Sequence, residues 1–138
     1  MEDNGLSEFV KSIERETREG YSEAVIDHAL NPRNMGRLEG SNGEAKFKGP
    51  CGDTMAIWID VSDDRIRRTG FWTDGCGTAI ACGSMVTELA TGKTVEQAGD
   101  IGRQDVLDAL GGLPPETEHC ALLAATTLKL AIKEYRKR

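Results

Sequence analysis

Three of the chain's four cysteines stand in similar local settings. Cys51 lies in Gly49-Pro50-Cys51-Gly52-Asp53, Cys76 in Asp74-Gly75-Cys76-Gly77, and Cys120 near the expected start of the last helix. Glycines beside a thiol let the backbone come close to a bound inorganic core, and a helix N-terminus favours thiolate over thiol. Soft thiolates presented at element ends suit zinc or iron-sulfur clusters better than magnesium or calcium. The intervals, 25 residues from Cys51 to Cys76 and 44 from Cys76 to Cys120, contain no Cys-x-x-Cys pair. Zinc ribbons, zinc fingers and thioredoxin-type redox centres therefore match poorly. A permanent cluster normally takes four cysteines, so three thiols and a nearby carboxylate hold a cluster less tightly and release it more readily.

The rest of the composition limits where such chemistry takes place. At 138 residues the chain fits one compact domain. Its 38% hydrophobic, 29% charged and 5% aromatic content is that of a soluble globular protein. A net charge of -6 argues against nucleic acid as a partner, because neutralising many phosphates needs a basic excess or a concentrated basic face. The first twenty residues carry six acids against three bases and no apolar core, and no apolar run reaches membrane-spanning length. Neither a membrane span nor a signal peptide is expected. A cytoplasmic location follows, where cysteines read as metal-binding or reactive before they read as disulfides.

The elements that must position the cysteines show in the hydrophobic periodicity. Leu6, Phe9, Val10 and Ile13 predict an N-terminal helix over residues 1–20, ended by Gly20. A second helix is expected from Tyr21 to Leu30, stopped by Asn31-Pro32 because the residue before proline avoids helical backbone. Ala45-Phe47, Met55-Val61 and Ile66-Trp72 alternate as strands, the last two joined at Ser62-Asp63-Asp64, which predicts an antiparallel meander. After Gly75 the period returns to that of a helix as far as Thr91-Gly92, with short helices at Val95-Ala98 and Gln104-Leu110. A long last helix from about Pro115 buries Ala121, Ala124, Ala125, Leu128, Ala131, Ile132 and Tyr135. The fold class is α+β, a three-stranded antiparallel sheet packed on one face by helices, with residues 21–138 as the site-bearing domain.

Four motifs resemble the IscU/NifU family of iron-sulfur cluster scaffolds: YSEAVIDHALNPRNMG at 21–36, GPCGDTM at 49–55, DGCGTAIACGSM at 74–85 and LPPETEHC at 113–120. By resemblance, Cys51, Cys76 and Cys120 are thiolate ligands, Asp53 is the family's aspartate and fourth ligand, and His119 is an alternate ligand. The resemblance implies a scaffold, not an enzyme. A cysteine desulfurase would deliver persulfide sulfur to Cys120, a labile 2Fe-2S cluster would form, and apo-proteins would receive it. A ferredoxin, a chaperone and a second copy of the chain complete the implied partners. Leu113-Pro114-Pro115 resembles the start of the loop that a dedicated Hsp70 chaperone reads in bacterial relatives, whereas Glu116-Thr117 stands where Val-Lys is expected.

Two rival readings use the same residues. A SufU-like sulfur acceptor would hold zinc on the three cysteines and Asp53, but the 44-residue interval before Cys120 is too short for the insertion such proteins carry. A structural zinc domain would close a tetrahedral site with Asp53 or His119. Other conspicuous residues have plainer roles. Cys82, six residues after Cys76 and about 240° round the helix, reads as packing. His28 reads as structural or as a charge complementing a helix C-terminus. Arg65, Arg67, Arg68 and Arg136-Lys137-Arg138 read as solvated charges, with docking to an acidic desulfurase surface as their functional alternative.

Overall fold

The computed structural model describes residues 20–138, so the helix expected on Leu6, Phe9, Val10 and Ile13 lies outside the described residues. Helix α1, Glu23–Leu30, begins where the Ser22 hydroxyl accepts a hydrogen bond from the Val25 amide at 3.1 Å, an N-cap that satisfies one otherwise orphaned donor. It ends at Asn31-Pro32 as the sequence implies. Strands β1 (Gly43–Lys48), β2 (Thr54–Ser62) and β3 (Arg65–Thr73) form an antiparallel sheet in the order β1-β2-β3. Met55, Ile57, Ile59 and Val61 alternate inward along β2, and all are buried.

The β2–β3 hairpin turns on Asp63 and Asp64, whose φ angles of 55° and 62° match the strand twist that a two-residue hairpin requires. A bulge beside Asp60 and Val61 then shifts the register by one residue. That slip lets Ile66 face the core while Arg67 and Arg68 both face out, which strict alternation forbids. Arg68 pairs with Asp60 at 2.8 Å and Arg67 with Asp63 at 3.7 Å. These are surface pairs of small energetic weight.

Helix α2 (Gly77–Ala90) packs on β3, and α5 (His119–Lys137) lies across β1 and β2, with the short α3 (Val95–Gly99) and α4 (Arg103–Leu110) between them. Gly83 lets α2 meet the sheet, since a Cβ there would fall 2.4 Å from the Phe71 ring. Phe71 and Ile57, paired across β2 and β3, are both fully buried. Side chains of this kind each contribute about 1.5–3 kcal/mol by leaving water. The stripe expected on α5 is buried except Tyr135, which is half-buried against the core. The far face of the sheet is open, with Trp72 exposed and the Lys46 ammonium 5.7 Å from its ring centre.

One boundary differs in a way that matters for the site. The last helix does not run continuously from Pro115; a 3-10 turn, Pro115–Thr117, precedes it. Pro114 and Pro115 bring no amide donors, so the chain closes on the Pro114 carbonyl, which accepts from the Thr117 amide at 2.9 Å and hydroxyl at 3.1 Å. His119 and Cys120 thus become the first two residues of α5.

Candidate metal centre

Each cysteine of interest sits where an element starts or turns. Between β1 and β2 the chain closes on itself, the Gly49 amide donating to the Asp53 carbonyl at 2.9 Å and the Gly52 amide to the Gly49 carbonyl at 3.0 Å. Cys51 rides at the tip of this loop, exposed. Cys76 is the N-cap residue of α2, and its side chain makes no capping hydrogen bond, so the sulfur remains available. Cys120 lies in the first turn of α5, 1% exposed.

The fold brings residues from positions 51, 53 and 119 to one place. A Cys51 sulfur, an Asp53 carboxylate oxygen and a His119 ring nitrogen all lie within 4.8 Å of one another. The Asp53 carboxylate also leans on the second cysteine loop: a Cβ on Gly75 would stand 2.9 Å from its Oδ2 and 2.6 Å from the Ala79 methyl. Gly75 therefore makes room for Asp53 next to Cys76. Cys76 and Cys120 are not members of the close Cys51–Asp53–His119 group. A soft sulfur, a hard oxygen and an intermediate nitrogen form a donor set suited to zinc or iron.

Cys82 is fully buried on α2, and burial pushes its thiol well above the usual range, with electrostatic repulsion from the Cys120 and Cys76 positions adding to the effect. It stays protonated and packs as a small hydrophobe, as its helical phase implies. His28 is also buried, its Nδ1 2.7 Å from the Ser84 hydroxyl, and burial lowers its pKa. That favours the neutral ring and a structural role over a charged helix complement.

Two features of the surroundings were not conspicuous in the sequence. A cleft of about 520 Å³, lined by Phe47, Pro50, Leu122 and Leu123 among others, opens beside Cys51 and His119, and Leu122 is 50% exposed there. An apolar flank of this kind limits water at a metal centre. The Tyr21 hydroxyl donates to Thr117 at 3.2 Å and accepts from Thr78 at 3.2 Å, linking the turn before His119 to the start of α2. Tyr21 opens the first family-like motif, but nothing in its local sequence marks a partner 96 residues away.

The model of the family described as NifU-like N terminal domain matches residues 20–138. The chain is 50% identical over 116 residues to the iron-sulfur cluster assembly scaffold protein IscU 1 of Archaeoglobus fulgidus, covering 83% of this chain and 76% of that protein. It is 42% identical over 123 residues to the protein of that name, IscU, from Escherichia coli K12, covering 86% and 95%. The crystal structure of a nitrogen-fixing NifU-like protein (N-terminal) from Brucella abortus superposes with a TM-score of 0.67 at 15% identity, over 85% of this chain and 94% of that one, a likeness of fold.

Proposed function

The chain belongs to the NifU-like N terminal domain family, and from that premise we propose that it is a scaffold on which an iron-sulfur cluster is built as cargo and from which apo-proteins receive it. The observation that carries this reading is the mixed donor group of Cys51, Asp53 and His119 beside the Cys76 loop. A carrier must bind its cargo and also give it up. Thiolates of Cys51, Cys76 and Cys120 supply strong bonds to iron, and the Asp53 oxygen supplies a weaker one at which a 2Fe-2S cluster opens. His119, already within reach of Asp53 and Cys51, takes that position during exchange.

Sulfur arrives as the persulfide of a cysteine desulfurase. The Cys120 thiolate attacks the outer sulfur, a new sulfur-sulfur bond forms on Cys120, and the desulfurase leaves as thiolate. Because Cys120 is buried, this step requires the start of α5 to become accessible. The setting is the reducing cytoplasm, with a ferredoxin and a chaperone as further partners. No helix among the described residues is long and apolar enough to cross a membrane.

The test is anaerobic reconstitution with iron and sulfide, followed by absorption spectroscopy and transfer to an apo-ferredoxin. A brown, transferable cluster is the expected result. A colourless chain that retains zinc and rejects iron would turn the reading towards a SufU-like acceptor or a structural zinc domain. In a desulfurase assay Cys120→Ser should abolish persulfide on the scaffold, and undiminished labelling would remove Cys120 from the acceptor role.

A further inference from the structure

One peptide unit joins the two cysteine loops. The carbonyl of the Asp53–Thr54 peptide accepts from the Gly49 amide at 2.9 Å, inside the Cys51 turn. The amide of the same unit donates to the Asp74 carboxylate at 2.8 Å, inside the Cys76 loop. The plane is thus gripped on both edges, which limits the backbone rotation that aims the Asp53 side chain. Around it the contact is reinforced. The Thr73 hydroxyl donates to the Thr54 carbonyl at 2.7 Å and accepts from the Gly75 amide at 3.1 Å, and the Asp74 amide reaches the Thr54 carbonyl at 3.3 Å.

We propose that Asp74 is a positioning residue, whose carboxylate holds the Asp53–Thr54 peptide and so sets the Asp53 ligand between the Cys51 turn and the Cys76 loop. The proposal rests on the scaffold reading, because it concerns the cluster's weakest bond. Asp74 itself is exposed and stands outside the close donor group, so its part is played through Thr54. The Thr54 amide needs one acceptor at the rim of the sheet, and the Asp74 side-chain oxygen supplies it at 2.8 Å. Without it the loops remain joined by the Thr73 bonds, but the Asp53 peptide is free to turn on one edge.

The experiment compares Asp53→Ala, Asp74→Ala, Asp74→Asn and the Asp53→Ala/Asp74→Ala double variant of the whole chain. Asp53→Ala, having lost the labile ligand, should transfer its cluster to apo-ferredoxin more slowly. Asp74→Ala should shift the visible circular dichroism of the bound cluster towards that of Asp53→Ala, slow transfer in the same direction, and speed Thr54 amide exchange about five- to tenfold. Asp74→Asn keeps a side-chain carbonyl for the Thr54 amide and should restore the wild-type spectrum and exchange. The double variant should behave as Asp53→Ala alone, since residues that act as a unit are not additive. Wild-type spectrum and exchange in Asp74→Ala would overturn the proposal, as would effects that add in full. Failure of Asp74→Asn to restore the spectrum would also sink it, pointing to the charge instead of the hydrogen bond. If the unsubstituted chain takes up no cluster, the scaffold reading falls; if it takes one up and Asp74→Ala is indifferent, only the clasp falls.

Discussion

The sheet side of the centre is tied more densely than its helix side. On the sheet side, the Gly49 amide closes the Cys51 turn on the Asp53 carbonyl at 2.9 Å, and the Asp74 carboxylate and Thr73 hydroxyl tie the Cys76 loop to the Thr54 amide and carbonyl at 2.8 and 2.7 Å. On the helix side, His119 and Cys120 enter α5 from a three-residue 3-10 turn whose outer tie is the Tyr21 hydroxyl, with both of its bonds at 3.2 Å. Several bonds converging on one sheet end give a frame that keeps its shape, whereas a three-residue 3-10 turn tied outward through one hydroxyl opens at lower cost. The difference divides the labour of a carrier. On the scaffold reading, the frame would hold most of the cargo's bonds while the turn would open for sulfur transfer and ligand exchange.

The largest effect that can break this comparison comes from exchanging ligands across the two sides. Cys51→Ser should lose the visible absorption of the reconstituted protein, whereas His119→Ala should keep the cluster and change only its transfer rate. Equal loss from both would make the helix side part of the frame. A smaller effect sharpens it. Tyr21→Phe removes the hydroxyl between Thr117 and Thr78, costing about 1 kcal/mol and lowering Tm by about 4 °C. It should also speed persulfide formation on Cys120; a slower reaction would show that the turn has to be closed for sulfur transfer.

The smallest effect is a matter of pH. His28 binds its proton less readily when folded than unfolded, because burial disfavours the charged ring. The unfolded chain therefore takes up the proton first as pH falls below about 6.5, and the stability that His28 contributes when neutral declines from there downward. His28→Gln should flatten the fall of Tm between pH 7.5 and 5.5, as read by thermal melts in the metal-free protein. An unchanged slope would place the pH dependence elsewhere.

Much of the architecture was legible along the chain because it rests on local chemistry. Asn31-Pro32 stops α1, the alternation from Met55 to Val61 makes β2, and Thr91-Gly92 closes α2, each through a constraint contained within a few residues. The continuous helix expected from Pro115 misses the 3-10 turn, because which carbonyl the diproline segment closes on is not written in periodicity. The inward turn of Ile66 was readable only as an apolar residue among arginines; the bulge that permits it is a property of strand pairing.

For the centre, the sequence by itself determined the chemistry on offer: thiols beside glycines, an aspartate two residues after the first, a histidine before the last, and no Cys-x-x-Cys. Residue type and spacing were enough for that, because donor softness belongs to the side chain. Only the tertiary structure decided which donors meet. It groups His119 with Cys51 and Asp53, buries Cys120, and aims Asp53 through a peptide shared with Asp74. Such proximities arise from packing between segments as much as 68 residues apart, and no local rule of propensity or pattern encodes a distance across the fold.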